Sequence, residues 1–181
     1  MELIILCGPK HSGKTSAGRE LAKKLSAPFF DLDQLVEEKT GQSVRELFLA
    51  DEALFQREEA VALAELFASD LLMAIVAPGG GIIDNPGAMA LIQKESARHC
   101  TAYLEVSSET AWRRIASDGE LPPFLKAPTL DAAKEKHRLL HERRAKEYKK
   151  IADYCISAEA KSAVCLAEEL YNLLQYKRKD T

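Results

Sequence analysis

The constraint that most limits this chain lies near its start. An apolar run, Leu3-Ile4-Ile5-Leu6-Cys7, leads into Gly8-Pro9-Lys10-His11-Ser12-Gly13-Lys14-Thr15-Ser16. Two glycines with four residues between them, followed by Lys-Thr, form a phosphate-binding loop when a strand precedes and a helix follows. The run supplies the strand, and Ala17, Leu21, Ala22 and Leu25 mark the apolar stripe of a helix. Glycine lets successive N–H groups turn inward around an anion, and the new helix adds its positive end. Gly8, Ser12, Gly13, Lys14, Thr15 and Ser16 are therefore the expected nucleotide-phosphate contacts. Lys14 is the cation for the outer phosphates, and the Thr15 hydroxyl is a magnesium ligand. A loop of this kind commits the chain to an α/β architecture, a parallel sheet between helical layers.

Further strands end in residues able to carry chemistry, and ligands of open α/β sheets gather at the carboxyl ends of strands. Pro28-Phe29-Phe30-Asp31 reads as a short buried strand running into Asp31-Leu32-Asp33. Strand alternation points Asp31 and Asp33 the same way, one toward magnesium and one toward an acceptor hydroxyl. Either carboxylate would serve equally as a cap for the helix beginning near Gln34. Leu71 to Val76 reads as the third strand and runs into Ala77-Pro78-Gly79-Gly80-Gly81. Three glycines there would let a ligand approach backbone N–H groups closely, or form a simple turn before the helix at Asn85-Pro86.

Between these strands, two short helices break at Gly41-Gln42-Ser43, with Ser43 and Glu46 spaced as a capping box. A longer helix follows, and Gln56, Arg57, Glu58 and Glu59 read as its exposed face. Thr101 to Val106 is a fourth strand and Tyr154 to Ile156 a fifth, giving five in all. Ser117 to Pro128 holds three prolines and a glycine, a long irregular segment that reads as a lid or as a plain surface connection. On the charged helix after it, Leu130, Leu139, Leu140, Ala145 and Tyr148 read as one side, and His137 and His141 as part of a solvated face.

The 181 residues suit one domain, 1–181, and the net charge of −3 argues against a nucleic-acid partner. No apolar run approaches a membrane span, and the start lacks a secretory signal, so the expectation is a cytoplasmic monomer acting on a small molecule. The four cysteines, Cys7, Cys100, Cys155 and Cys165, are scattered and read as buried thiols, with Cys7 and Cys155 in core strands.

These pieces, in this order from Leu3 to about Ser157, resemble the shikimate kinase family. The matching stretches are Gly8 to Thr15, Asp31-Leu32-Asp33, Gly41-Gln42-Ser43-Val44, Gly79-Gly80-Gly81, and Glu142-Arg143-Arg144 to Tyr148 and Asp153. The resemblance implies a three-layer α/β/α fold with a five-stranded parallel sheet. It implies a helical acceptor-binding segment over about 33–62 and a lid over about 117–128. It implies that ATP with Mg2+ phosphorylates the 3-hydroxyl of shikimate. Lys14 would hold phosphates, Thr15 and Asp31 magnesium, and Asp33 the ring hydroxyls, assisting deprotonation. Gly79, Gly80 and Gly81 would offer backbone donors to the substrate, Arg144 would meet its carboxylate, and Arg114 or Arg113 would lie against adenine.

Two departures stand out. The family carries Phe-Arg at the start of the long helix, its arginine on the substrate carboxylate, whereas here Phe55 is followed by Gln56 and then Arg57. One helical step turns a side chain by about 100°. Either a shift of the helix restores Arg57 to the substrate, or the carboxylate has one partner fewer. The family lid reads Arg-Pro-Leu-Leu; this chain has Leu121-Pro122-Pro123-Phe124-Leu125, with Lys126 as the nearby cation. Both departures keep two other readings open: a kinase for another small polyol or hydroxy acid, and a nucleotide-binding homologue with weakened catalysis.

Overall fold

The computed structural model describes residues 2–119 and 121–179, with side chains through residue 175. Its frame is a five-stranded sheet: β1 (Glu2–Cys7), β2 (Phe29–Asp31), β3 (Met73–Ala77), β4 (His99–Glu105) and β5 (Tyr154–Ser157). The spatial order is β2-β3-β1-β4-β5, and every pairing is parallel. Parallel strands need crossovers, and among the described residues seven helices lie in them, α1 (Lys14–Leu25), α2 (Leu32–Thr40), α3 (Val44–Ala50), α4 (Glu52–Ala68), α5 (Pro86–Lys94), α6 (Ser108–Ser117) and α7 (Leu130–Ile151), while α8 (Ala163–Lys179) follows the last strand. This is the expected three-layer α/β/α arrangement.

Alternation along β1 divides the core. Leu3, Ile5 and Cys7 face one side with Val76, Tyr103, Leu63 and Phe67, while Ile4 and Leu6 face the other with Leu21, Leu104, Leu166 and Leu170. A third cluster joins α6, the short 3-10 turn Pro123–Leu125 and α7 through Trp112, Ile115, Leu125 and Ala133. The helix ends follow local chemistry. Ser43 and Glu46 close a capping box at α3, and Asn85 caps α5 ahead of Pro86. No described helix is long and apolar enough to cross a membrane.

Several expectations need correction. β2 is only half-buried, because it is a sheet edge. Cys155, on the opposite edge, and Cys165, on α8, are exposed, while Cys7 and Cys100 are buried. On α7, Leu130 and Leu139 face solvent, and the inner face is formed by Ala133, His137 and Tyr148. His137 is therefore a core residue, 5.5 Å from the Trp112 ring and 5.5 Å from that of His141. Burial first, then His141 and Arg144, lower its pKa to about 4, so it is a neutral packing ring at physiological pH. Glu59 is also buried rather than part of an exposed face of α4.

Candidate active site

The carboxyl ends of β1, β2 and β3 open into one cavity of about 580 Å³. Along one wall the loop after β1 has the backbone expected of an anion cradle. Gly8 and Gly13 have φ of 148° and 96°, and His11 is left-handed at 61°. Lys14 folds back over the loop, its Nζ donating to the carbonyls of Gly8 (3.0 Å) and Pro9 (2.9 Å). Burial lowers its pKa to about 8 against the opposing pull of Asp33, Cys7 and Asp31. An ammonium taken so far from water is stabilised by an arriving phosphate. Gly13, Lys14, Thr15 and Ser16 line the cavity. Ser12 is buried, its hydroxyl unpartnered, and Gly8 acts through its carbonyl on Lys14.

Asp31 ends β2, and its Oδ2 accepts from the Thr15 hydroxyl at 2.9 Å. Two oxygen donors thus meet at the edge of the loop, a hard-ligand pair suited to Mg2+. Asp31 is the N-cap residue of α2 by backbone geometry but makes no side-chain cap bond, so the carboxylate is left for the cavity. Asp33 also faces the cavity, though not by strand alternation: the strand ends at Asp31 and Asp33 lies in the first turn of α2. Its pKa rises to about 6, chiefly through burial and then the Asp31 charge, with Lys14 holding it down. That places a carboxylate base near physiological pH.

The triple glycine has a reason the sequence does not suggest. A Cβ on Gly79 would lie 2.8 Å from Asp33 Oδ1, and one on Gly80 would lie 2.7 Å from the Lys10 backbone nitrogen. These glycines make room for the protein's own carboxylate and phosphate loop. The Gly80 carbonyl accepts from Arg144 Nη1 (2.9 Å) and from the Tyr148 hydroxyl (3.0 Å), which ties the loop to α7. Arg144 also donates from Nε to Asp84 (2.8 Å), and its guanidinium stacks 5.3 Å from the Phe124 ring. Arg143 holds the same Asp84 through two bonds, at 2.7 and 2.8 Å. Arg144 is thus presented to the cavity in a fixed orientation.

Four candidates are not brought there. Arg57 is exposed and absent from the cavity lining, which Gln56 joins instead. No shift of α4 has restored the arginine. Lys126 is exposed just beyond the short 3-10 turn Pro123–Leu125. Arg114 donates to the His11 carbonyl at 2.6 Å, bracing the phosphate loop from outside the cavity, and Arg113 is exposed.

Four other groups do reach the site. Glu59 shares the lining, its Oε2 held by Asn85 Nδ2 at 2.8 Å and its buried Oε1 unpartnered. Burial raises its pKa to about 7, with Asp33 adding to the rise and Asn85 and Arg144 opposing it. Asn85 meanwhile caps α5 through Oδ1. Lys10 and Arg45 also line the cavity. Spacing holds a signal for two of these: Gln56 and Glu59, like Arg45 and Phe48, are three apart and so share a helix face.

A family model for shikimate kinase matches residues 10–175. The shikimate kinase of Mycobacterium tuberculosis is 33% identical over 173 residues, 94% of this chain and 92% of its own. Among solved structures, shikimate kinase from Acinetobacter baumannii in complex with shikimate superposes with a TM-score of 0.83 at 28% identity, covering 97% of this chain and 93% of its own. The Aquifex aeolicus enzyme gives 0.78 at 28% identity, covering 97% and 98%. Matched over nearly its whole length, with the phosphate loop, paired carboxylates and triple glycine in one cavity, the chain belongs to the shikimate kinase family.

Proposed function

We propose that the protein transfers the γ-phosphate of ATP to the 3-hydroxyl of shikimate, as a cytoplasmic small-molecule kinase. The observation that carries this reading is one cavity in which Lys14, the Thr15–Asp31 pair, Asp33 and Arg144 converge. Magnesium, when bound, neutralises charge developing on the phosphates. Lys14 and the loop N–H groups hold the donor's phosphates, and Thr15 and Asp31 are the residues for the metal. Asp33 fixes the acceptor ring and takes the proton of its hydroxyl as that oxygen bonds to the γ-phosphorus and ADP leaves. Little covalent work falls to the protein in such a transfer; orientation and charge do most of it. Arg144, fixed by Asp84 and Gly80, pairs with the acceptor carboxylate. Residues 33–62 form the acceptor wall, and 117–128 the lid.

A second reading, a different hydroxylated acid as acceptor, is favoured by one observation: Gln56 faces the cavity where the family places an arginine. Phosphorus NMR of a reaction with ATP, Mg2+ and shikimate separates the two. A new monoester signal on shikimate supports the first reading. Its absence, with transfer to another hydroxy acid, supports the second.

A further inference from the structure

The lid lacks the family's arginine, yet a guanidinium does stand at that point of the seam. It comes from the opposite wall. Arg45, in the first turn of α3, donates from Nη1 to the Leu121 carbonyl at 3.3 Å. Leu121 precedes Pro122, so it occupies the place of the arginine in the family's Arg-Pro-Leu-Leu lid. One helical turn from Arg45, Phe48 meets the lid again, edge-on to Phe124 with ring centroids 6.5 Å apart. The Arg144 guanidinium lies 5.3 Å from the centroid of the same ring. The lid ring is therefore held between α3 and α7, over a cavity that Arg45, Phe48, Phe124 and Arg144 all line. Beneath it, Leu125 and Trp112 anchor the segment in its own cluster.

We propose that Arg45 is a positioning residue that ties the lid backbone to α3 and so seats Phe124 as the roof of the acceptor site. The proposal rests on the kinase reading for its effect on turnover, but not for its effect on the lid.

The chemistry of the tie separates it from other roles for a cavity arginine. A backbone carbonyl accepts one hydrogen bond from any suitably placed cation, so lysine should serve. A carboxylate or phosphate gripped by the two-pronged guanidinium would not accept lysine as a substitute. Trp112, the chain's single tryptophan, reports on the lid directly.

The test compares wild type with Arg45→Ala and Arg45→Lys, each checked for native circular dichroism, with Phe124→Ala as a second route to loosening the same contact. In ligand-free protein, Arg45→Ala and Phe124→Ala should raise acrylamide quenching of Trp112 about twofold, and Arg45→Lys should leave it near wild type. In turnover, Arg45→Ala should lower kcat/KM for shikimate about tenfold, the size of one lost hydrogen bond to a charged donor, and Arg45→Lys should recover most of it. Unchanged quenching in Arg45→Ala overturns the proposal. So does Arg45→Lys as impaired as Arg45→Ala, which would put the guanidinium on substrate. If wild type shows no shikimate-dependent turnover, the kinase reading fails, and the quenching series still decides the tie.

Discussion

Replacing Asp33 by Asn should stabilise the fold while removing the activity. Burial and the Asp31 charge raise the Asp33 pKa from 3.8 to about 6, so the ionised form is held in the native state at a cost. At ~1.4 kcal/mol per pH unit, the ceiling on that cost at neutral pH is ~3 kcal/mol. Two effects reduce it. The carboxylate is part-open to the cavity, where water screens it, and Lys14 loses a nearby anion in the variant. An expected gain of ~1–2 kcal/mol corresponds to roughly 3–6 °C in Tm for a chain of this size. The pH dependence follows from the sign. A carboxyl with a raised native pKa favours the fold while protonated, below its unfolded pKa, and loses that contribution as pH rises through about 6. The gap between Asp33→Asn and wild type should therefore be open at pH 8 and nearly closed at pH 4. Thermal melts across that range, paired with turnover at pH 7.5, make the assay. A variant equal to or less stable than wild type at pH 8, or one retaining turnover, would refute the reasoning.

Other outcomes follow from the same geometry. Lys14→Ala should remove turnover, by a factor on the order of 10³ or more, while relieving a buried ammonium, so its Tm should not fall. Gly80→Ala would drive a Cβ to 2.7 Å from the Lys10 backbone nitrogen, so ATP affinity measured by calorimetry should weaken, and thermal stability should drop by ~1–3 kcal/mol. Arg57→Ala should leave the KM for shikimate within about twofold, because exposed charges away from a site contribute little.

What could be read from the sequence was what local spacing determines. The phosphate loop is contiguous, so Gly8 to Thr15 needed only a strand before it and a helix after it. The capping box at Ser43 and Glu46 and the Asn85-Pro86 helix start were legible for the same reason. Long-range packing decided the rest. Glu59 carries a charged residue's expectation of solvent, and only the approach of Asn85 from another element explains its burial. His137 sits on a heavily charged helix, and α6 brings Trp112 against it. Asp33 reached the cavity by a different route from the one alternation suggested, because the strand stopped two residues earlier. Spacing alone offers the glycines at 79 and 80 as ligand room or a simple turn, and it does not show that Asp33 and the phosphate loop are the atoms nearest a Cβ there. The contact of Arg45 with the Leu121 carbonyl, 76 residues away, became visible only with the two backbones side by side.

The most direct measurement is ADP release by wild-type protein with ATP and Mg2+, with and without shikimate. The account predicts strong stimulation by shikimate, lost by a factor on the order of 10² or more in Asp33→Asn with its missing base. ATP binding without any stimulation by shikimate would contradict it.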